Sequence, residues 1–139
     1  MAMSDEARMA GTGAWLQRAS QDMRAAAHGL KAVPPLLDDV VFHCQQASEK
    51  ALLGFLIWNG VPFRETHDIA EIGAQCAEID SSLAPLIDRA APLTEYAWKY
   101  RYPGGPEEPS VEEAQEALAI THEVAQAIIE RLPQEAMER

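Results

Sequence analysis

A chain of 139 residues has the length of one ordinary domain, which is enough to bury a hydrophobic core. Hydrophobic residues make up 47% and charged residues 24% of the chain, and few segments show the alternation typical of strands, so a helical domain is predicted. The formal net charge of -11 argues against general coating of nucleic acid, because an acidic surface repels phosphate unless basic residues gather at one place.

Membrane, secretion and metal signals are not found in the sequence. The most apolar stretch, residues 51–58, is far shorter than the roughly 20 residues of a bilayer-spanning helix. The N-terminal residues are acidic and contain no apolar signal core, so a cytoplasmic location is predicted. Cys44 and Cys76 lie in apolar helical stripes, which favours buried reduced thiols over a disulfide. No Cys/His spacing typical of a metal site occurs, and we expect neither a metal nor a cofactor.

The chain is predicted to begin with a leader followed by a first helix. Residues 1–12 are polar and contain glycine, so we expect them to form a flexible leader. From Trp15 onwards, apolar side chains recur at helical spacing. The pattern ends before Pro34 and Pro35, since proline is not tolerated inside a helix.

A second helix is predicted from about residue 36 to residue 59, where the Asn59–Gly60 pair should end it. Its apolar positions alternate in steps of four and three, which predicts a long packing seam. The last part, residues 51–58, is apolar all round. This predicts that other helices or a partner subunit surround it, and we expect it to supply the seam of a homodimer.

Proline and cap residues divide the rest of the chain. A third helix is predicted with Thr66 as its cap, and a fourth is expected to divide at Pro92 into segments 83–91 and 93–100. The stretch YRYPGGPEEPS is rich in proline and glycine, which predicts a loop. A capping box of Ser110 and Glu113 then opens the last helix.

The predicted fold is all-α, an up-and-down helical bundle of about five helices, because short loops between amphipathic helices place neighbours antiparallel. The bundle is expected to cover residues 13–133. Residues 134–139 are predicted to form an acidic tail.

Four stretches of the sequence together resemble the HEPN (higher eukaryote and prokaryote nucleotide-binding) family. They are ASQDMRAAAHGL, FHCQQASEKALLGFLIWNG, THDIAEIG and YAWKYRYPG, and the resemblance extends from about Trp15 to Leu132. The RYP ending of the fourth stretch is similar to the subgroup encoded beside minimal nucleotidyltransferases. The resemblance implies an HEPN-like bundle that forms a homodimer. It also implies binding of a nucleotide, an RNA end or a nucleotidyltransferase partner, in some relatives as part of a toxin–antitoxin pair.

The sequence departs from the catalytic members of that family in one respect. Relatives with ribonuclease activity carry an Arg and a following His that are separated by four to six intervening residues. Here Arg24 and His28 are separated by three residues, and Arg64 and His67 by two. Because acid–base catalysis needs a group that titrates near the working pH, losing this pair argues against an enzyme.

Two groups of residues are candidates for anion contact. On helix two, Lys50 shares a face with His43 and Gln46, so it could hold a phosphate; alternatively, it could simply be solvated or pair with a neighbouring helix. Arg101 lies between tyrosines, a combination suited to phosphate contact and base stacking, and Tyr96 and Tyr102 are expected to line that pocket. Packing at the edge of the bundle is an equal alternative.

His67 is a third candidate ligand contact, although its position beside Asp68 at the start of a helix is also explained by capping. Three functions follow from these observations. The preferred one is a non-catalytic HEPN protein in which Lys50 and Arg101 contact anionic groups. The first alternative is a toxin-type ribonuclease that uses His67 with Arg101 across a dimer. The second is a helical adaptor whose acidic surface meets a basic partner.

Overall fold

The computed structural model describes residues 4–63, 66–105 and 107–137. In these residues the protein is all-helical and has no strand, which confirms the predicted helical bundle. The α-helices are α1 (Asp5–Lys31), α2 (Leu37–Trp58), α3 (Ile69–Ile79), α4 (Ala84–Ala90), α5 (Val111–Ile129) and α6 (Gln134–Met137). Two 3₁₀ segments, Ser81–Leu83 and Ala91–Ala97, flank α4. Among these helices, none combines the length and apolar character needed to cross a membrane.

The helix α2 is the centre of the bundle. It runs antiparallel to α1, because Arg8 near the start of α1 donates to the carbonyl of Trp58 at the end of α2, over 2.9 Å. α5 packs against another side of α2, and α3 and the Ala91–Ala97 segment complete the enclosure. Val40, Leu52 and Leu56 of α2 are therefore 0–1% exposed.

Local chemistry explains where most of the helices begin and end. α2 ends at Trp58, and Gly60 adopts φ +68, a conformation that glycine reaches without steric cost. The Ser110 hydroxyl accepts from the Glu113 amide and caps α5, as its capping box predicts. The cap of α3 differs from the prediction. Asp68 accepts from the first amides of the helix, whereas Thr66 accepts from the Asp68 amide.

The predicted flexible leader is wrong for residues 5–12, because α1 already begins at Asp5; residues 1–3 lie outside the described residues. The side chain of Thr12 is fully buried, and its hydroxyl donates to the Gly54 carbonyl over 3.2 Å. The predicted acidic tail also differs at residues 134–137. These form α6, which packs against α1 and buries Ala136 completely.

Residues 51–56 of the apolar end of α2 lie inside the chain, so the expectation that they supply a dimer seam is wrong; Ile57 and Trp58 are half-buried. Its residues Ala51 to Leu56 are all buried, since the first turns of α1 lie across one side of them. Gly11 of α1 is close enough that an added Cβ would stand 3.1 Å from Ile57. The other option stated for this segment, enclosure by other helices, is the one the structure shows.

One substitution tests the packing of α3 against α4. A Cβ added at Gly73 would stand 2.4 Å from Cγ2 of Ile87, a β-branched side chain with little freedom to move. We expect Gly73→Ala to lower the free energy of unfolding by about 1–3 kcal/mol, measured by urea denaturation. The matched control is Gly54→Ala in α2, where the nearest neighbouring atom would be at an ordinary 3.5 Å. Equal stability of the two variants would contradict the described packing.

Candidate functional site

One stripe of α2 remains accessible from the surface. Between Asp39 and Leu56, every position of the helix is buried except five, which recur at helical spacing and so share one side. We call this stripe the α2 face; its residues are Asp39, Phe42, His43, Gln46 and Lys50. The polar side chains that α2 exposes to solvent between Asp39 and Leu56 therefore lie along one line.

Asp22 of α1 organises one end of the α2 face. Its side chain is 11% exposed, and the carboxylate is 2.8 Å from Nδ1 of His43 and 2.6 Å from Nζ of Lys50, each on a different oxygen. Because an ionised carboxylate only accepts hydrogen bonds, Nδ1 of His43 must carry the proton of that bond. The Nε2 atom is then the ring nitrogen left for another group, on a side chain that is 30% exposed.

Arg101 organises the other end. Its Nη1 donates to Asp39 over 2.8 Å, and its guanidinium carbon lies 4.2 Å from the centre of the Phe42 ring, a cation–π contact. The Phe42 ring meets the His43 ring edge-on, with 5.5 Å between the centroids. Contacts through Phe42 and His43 thus connect Arg101 to Asp22.

Lys50 and Arg101 are therefore placed on the same face, and both are held by carboxylates. For Lys50, the alternative of pairing with a neighbouring helix is what the structure shows. The two anchor points on α2, Asp39 and Lys50, are eleven residues apart, which is about 16 Å at 1.5 Å per residue. A single phosphate group does not span that length, but an extended nucleotide or two linked nucleotides can.

The two predicted tyrosines do not share one pocket wall. Tyr96 is 8% exposed and stacks on Tyr100 at 6.0 Å, and burial raises the pKa of its hydroxyl. It lines a separate cleft beside α5, of about 240 Å³, together with Leu93 and Glu113. Tyr102 is 71% exposed and follows Arg101 directly, so of the two predicted tyrosines it is the one available to a ligand that contacts Arg101.

His67 belongs to a different cluster, on the adjoining side of α2. Its Nδ1 is 3.0 Å from Oε2 of Glu49, and the same oxygen accepts from Gln45 over 3.0 Å. Gln45 also donates to the His67 carbonyl, so the loop before α3 is tied to α2 at two points. Within one chain His67 and Arg101 are not brought together, because their α2 partners Glu49 and Asp39 are about 15 Å apart along the helix. Their combination across a dimer stays a prediction.

The two cysteines are buried and free of a disulfide. Burial raises the pKa of Cys44 and of Cys76 to about 12, so both thiols stay protonated at neutral pH and react poorly. Among the described residues, no three His, Cys, Asp or Glu side chains are placed to hold a metal ion.

The residues that sequence reasoning missed are Asp22, Phe42 and Glu49. Asp22 is 21 residues from His43 and 28 from Lys50 in the chain, and no local pattern signals contacts over such a distance. Phe42 adjoins His43, and its helical spacing from Asp39 gives the one usable signal.

The all-helical bundle agrees with the comparison to family models. The HEPN domain model matches residues 12–132, so this chain belongs to the HEPN family. At the level of the family, membership supports a nucleotide- or RNA-related role, and HEPN domains commonly dimerise. Comparison with curated proteins and with solved structures gives no match.

Proposed function

We propose that this HEPN protein binds a nucleotide or an RNA end along the α2 face, without a ribonuclease pair of its own. The observation that carries the proposal is the placement of Lys50 on one accessible stripe, with Arg101 held against Asp39 and the Phe42 ring at the other end of that stripe. Cationic side chains beside an aromatic ring and an exposed tyrosine provide contacts for phosphate and for a base.

The geometry leaves both cations with donors for a ligand. The guanidinium of Arg101 carries five N–H donors, and its contact with Asp39 uses Nη1 alone. Lys50 has three donors and directs one to Asp22. In physiological salt, repulsion from the acidic surface of the chain is screened beyond the Debye length of about 8 Å. The attraction of Lys50 and Arg101 therefore dominates for a phosphate in direct contact with them.

The proposal extends to the partners. Arg101 lies in the RYP segment, and this segment resembles the HEPN subgroup that is encoded beside minimal nucleotidyltransferases. We therefore propose that the bound nucleotide is a substrate or product of such a partner in the cytoplasm, in the manner of a toxin–antitoxin pair. A homodimer, common among HEPN domains, would place two α2 faces in one assembly.

A specific observation favours a second candidate function, a ribonuclease with an unconventional site. Asp22 holds Nδ1 of His43, which is the arrangement that orients an imidazole as a general base through Nε2, and Lys50 lies on the same carboxylate. Such a site would use His43 instead of the His67 and Arg101 pair across a dimer that the sequence suggests. RNA cleavage that is lost in His43→Ala but retained in His67→Ala would establish it.

The proposed binding is tested by calorimetric titration of the full chain with ATP, GTP and a short RNA. We expect Lys50→Ala and Arg101→Ala each to weaken binding about tenfold, since a hydrogen bond to a charged group contributes roughly 1.5–3 kcal/mol. The matched control is Arg89→Ala, because Arg89 also pairs with one carboxylate, that of Glu123, but lies on the α4–α5 side. Unchanged binding in both test variants, or equal loss in the control, would contradict the proposal.

A further inference from the structure

A cavity lies next to the α2 face, and its lining residues take no part in the phosphate contacts described above. It is a cleft of about 380 Å³ between α1, α2 and the segment before α3. We call it the Trp15 cleft; it is lined by Trp15, Glu49, Leu53, Phe63, Thr66 and His67. The Trp15 and Phe63 rings stand nearly perpendicular, at 76° with 6.4 Å between centroids, and form an aromatic corner.

The position of this cleft relative to Lys50 suits one nucleotide. Glu49, which lines the cleft, precedes Lys50 on α2, and Trp15 lies two turns before Asp22 on the same side of α1. Trp15 is about 10 Å along α1 from Asp22, the partner of Lys50, so the aromatic corner is within the length of one nucleotide from a phosphate held at Lys50. Flat nucleobases bind to proteins by stacking on aromatic side chains and by hydrogen bonds along their edges.

The Glu49 carboxylate is the polar group that determines which edge of a base the cleft accepts. Glu49 is 8% exposed and lies within hydrogen-bonding distance of Gln45, Gln46 and His67, all at Oε2 as far as the described residues show. These contacts fix the carboxylate in place. A carboxylate only accepts hydrogen bonds and has about four lone-pair positions, so it favours a base edge with adjacent donors.

We infer that the Trp15 cleft is a base subsite that selects guanine, a conclusion that rests on the proposed nucleotide binding. Guanine presents its N1–H and N2 amino donors side by side on the Watson–Crick edge. Adenine presents an acceptor at N1, and the pyrimidines offer less ring area to Trp15 and Phe63. The α2 face would hold the phosphate of the same ligand at Lys50.

The deciding experiment uses the unaltered chain and four ligands. GMP, IMP, AMP and CMP are titrated by calorimetry at one salt concentration. IMP keeps the N1–H of guanine and lacks the N2 amino group, so it measures that single contact. We expect GMP to bind about tenfold more tightly than IMP, and AMP and CMP to bind more weakly than GMP.

Two variants complete the test. In Glu49→Gln the side-chain amide adds donors that face those of guanine, so the preference for GMP over AMP should disappear. In Trp15→Leu the stacking surface is lost, and all four ligands should weaken together. Thermal midpoints measured alongside show that each variant is folded, and the IMP comparison stands without either of them.

The outcomes separate this inference from the function on which it rests. Equal affinity for all four nucleotides, lost in Lys50→Ala, would overturn guanine selection and leave the proposed nucleotide binding intact. No affinity for any of them, with the short RNA still bound, would overturn guanine selection alone, and no affinity for the mononucleotides or the short RNA would overturn both. Displacement of GMP by arginine at comparable concentration would also overturn it, because the aromatic corner and Glu49 would then form a site for organic cations.

Discussion

Leu56→Ala is expected to lower the free energy of unfolding by about 2–5 kcal/mol, because truncating a fully buried leucine removes its burial and leaves a cavity. Leu56 is 0% exposed within one chain. The loss should therefore be the same at low and at high protein concentration, measured by urea denaturation. A residue in a dimer seam would instead shift the concentration dependence of unfolding.

The control for this prediction is Ile57→Ala. Ile57 is the next residue of α2 and is only half-buried, so its truncation should cost less than that of Leu56. A loss at Leu56 that disappears at high protein concentration would mean that this end of α2 is covered by a second chain rather than by α1.

Asp22→Ala is expected to have the largest effect among the polar residues. Removing the carboxylate leaves the His43 and Lys50 side chains, 30% and 22% exposed, without their shared partner. We expect a loss of about 2 kcal/mol in unfolding free energy, less than the 3–5 kcal/mol for a fully buried pair because both partners reach solvent.

A double variant separates charge from packing at this position. Asp22→Ala combined with Lys50→Met removes the unpaired charge, so it should be more stable than Asp22→Ala alone. If the double variant is instead less stable, by the sum of the two single losses, the Asp22–Lys50 contact contributes little to the fold.

The ends of helices that are set by residues close together in the chain can be predicted from the sequence. Proline at 34 and 35, glycine at 60 and the capping box at Ser110 act within one turn of the chain, and each ends or begins a helix where expected. The sequence does not decide between Thr66 and Asp68 as the cap of α3, because both residues are good caps and lie two positions apart.

The two errors about the ends of α1 and α2 have one cause. The glycines and small polar residues before Trp15 suggested a leader, and the apolar end of α2 suggested a partner chain. In the structure these two segments cover each other. Small residues such as Gly11 allow the helices to approach closely, and Thr12 satisfies its hydroxyl on a backbone carbonyl of α2.

The candidate site was predictable only in part, for a similar reason. Lys50 and Arg101 could be selected by residue type, since cations near aromatics suit phosphate. Their carboxylate partners, Asp22 and Asp39, lie 28 and 62 residues away in the chain, and such pairs are decided by tertiary packing. Tyr96 shows the converse, because its spacing did not reveal that it faces the interior.

Binding of a nucleotide along the α2 face is tested most directly by the amide chemical shifts of isotope-labelled protein titrated with GTP. We expect the largest shifts at His43, Lys50 and Arg101, with little change in the cleft between α4 and α5 that Arg89 and Glu123 line. Shifts concentrated in that α4–α5 cleft, or no shifts at saturating GTP, would contradict it.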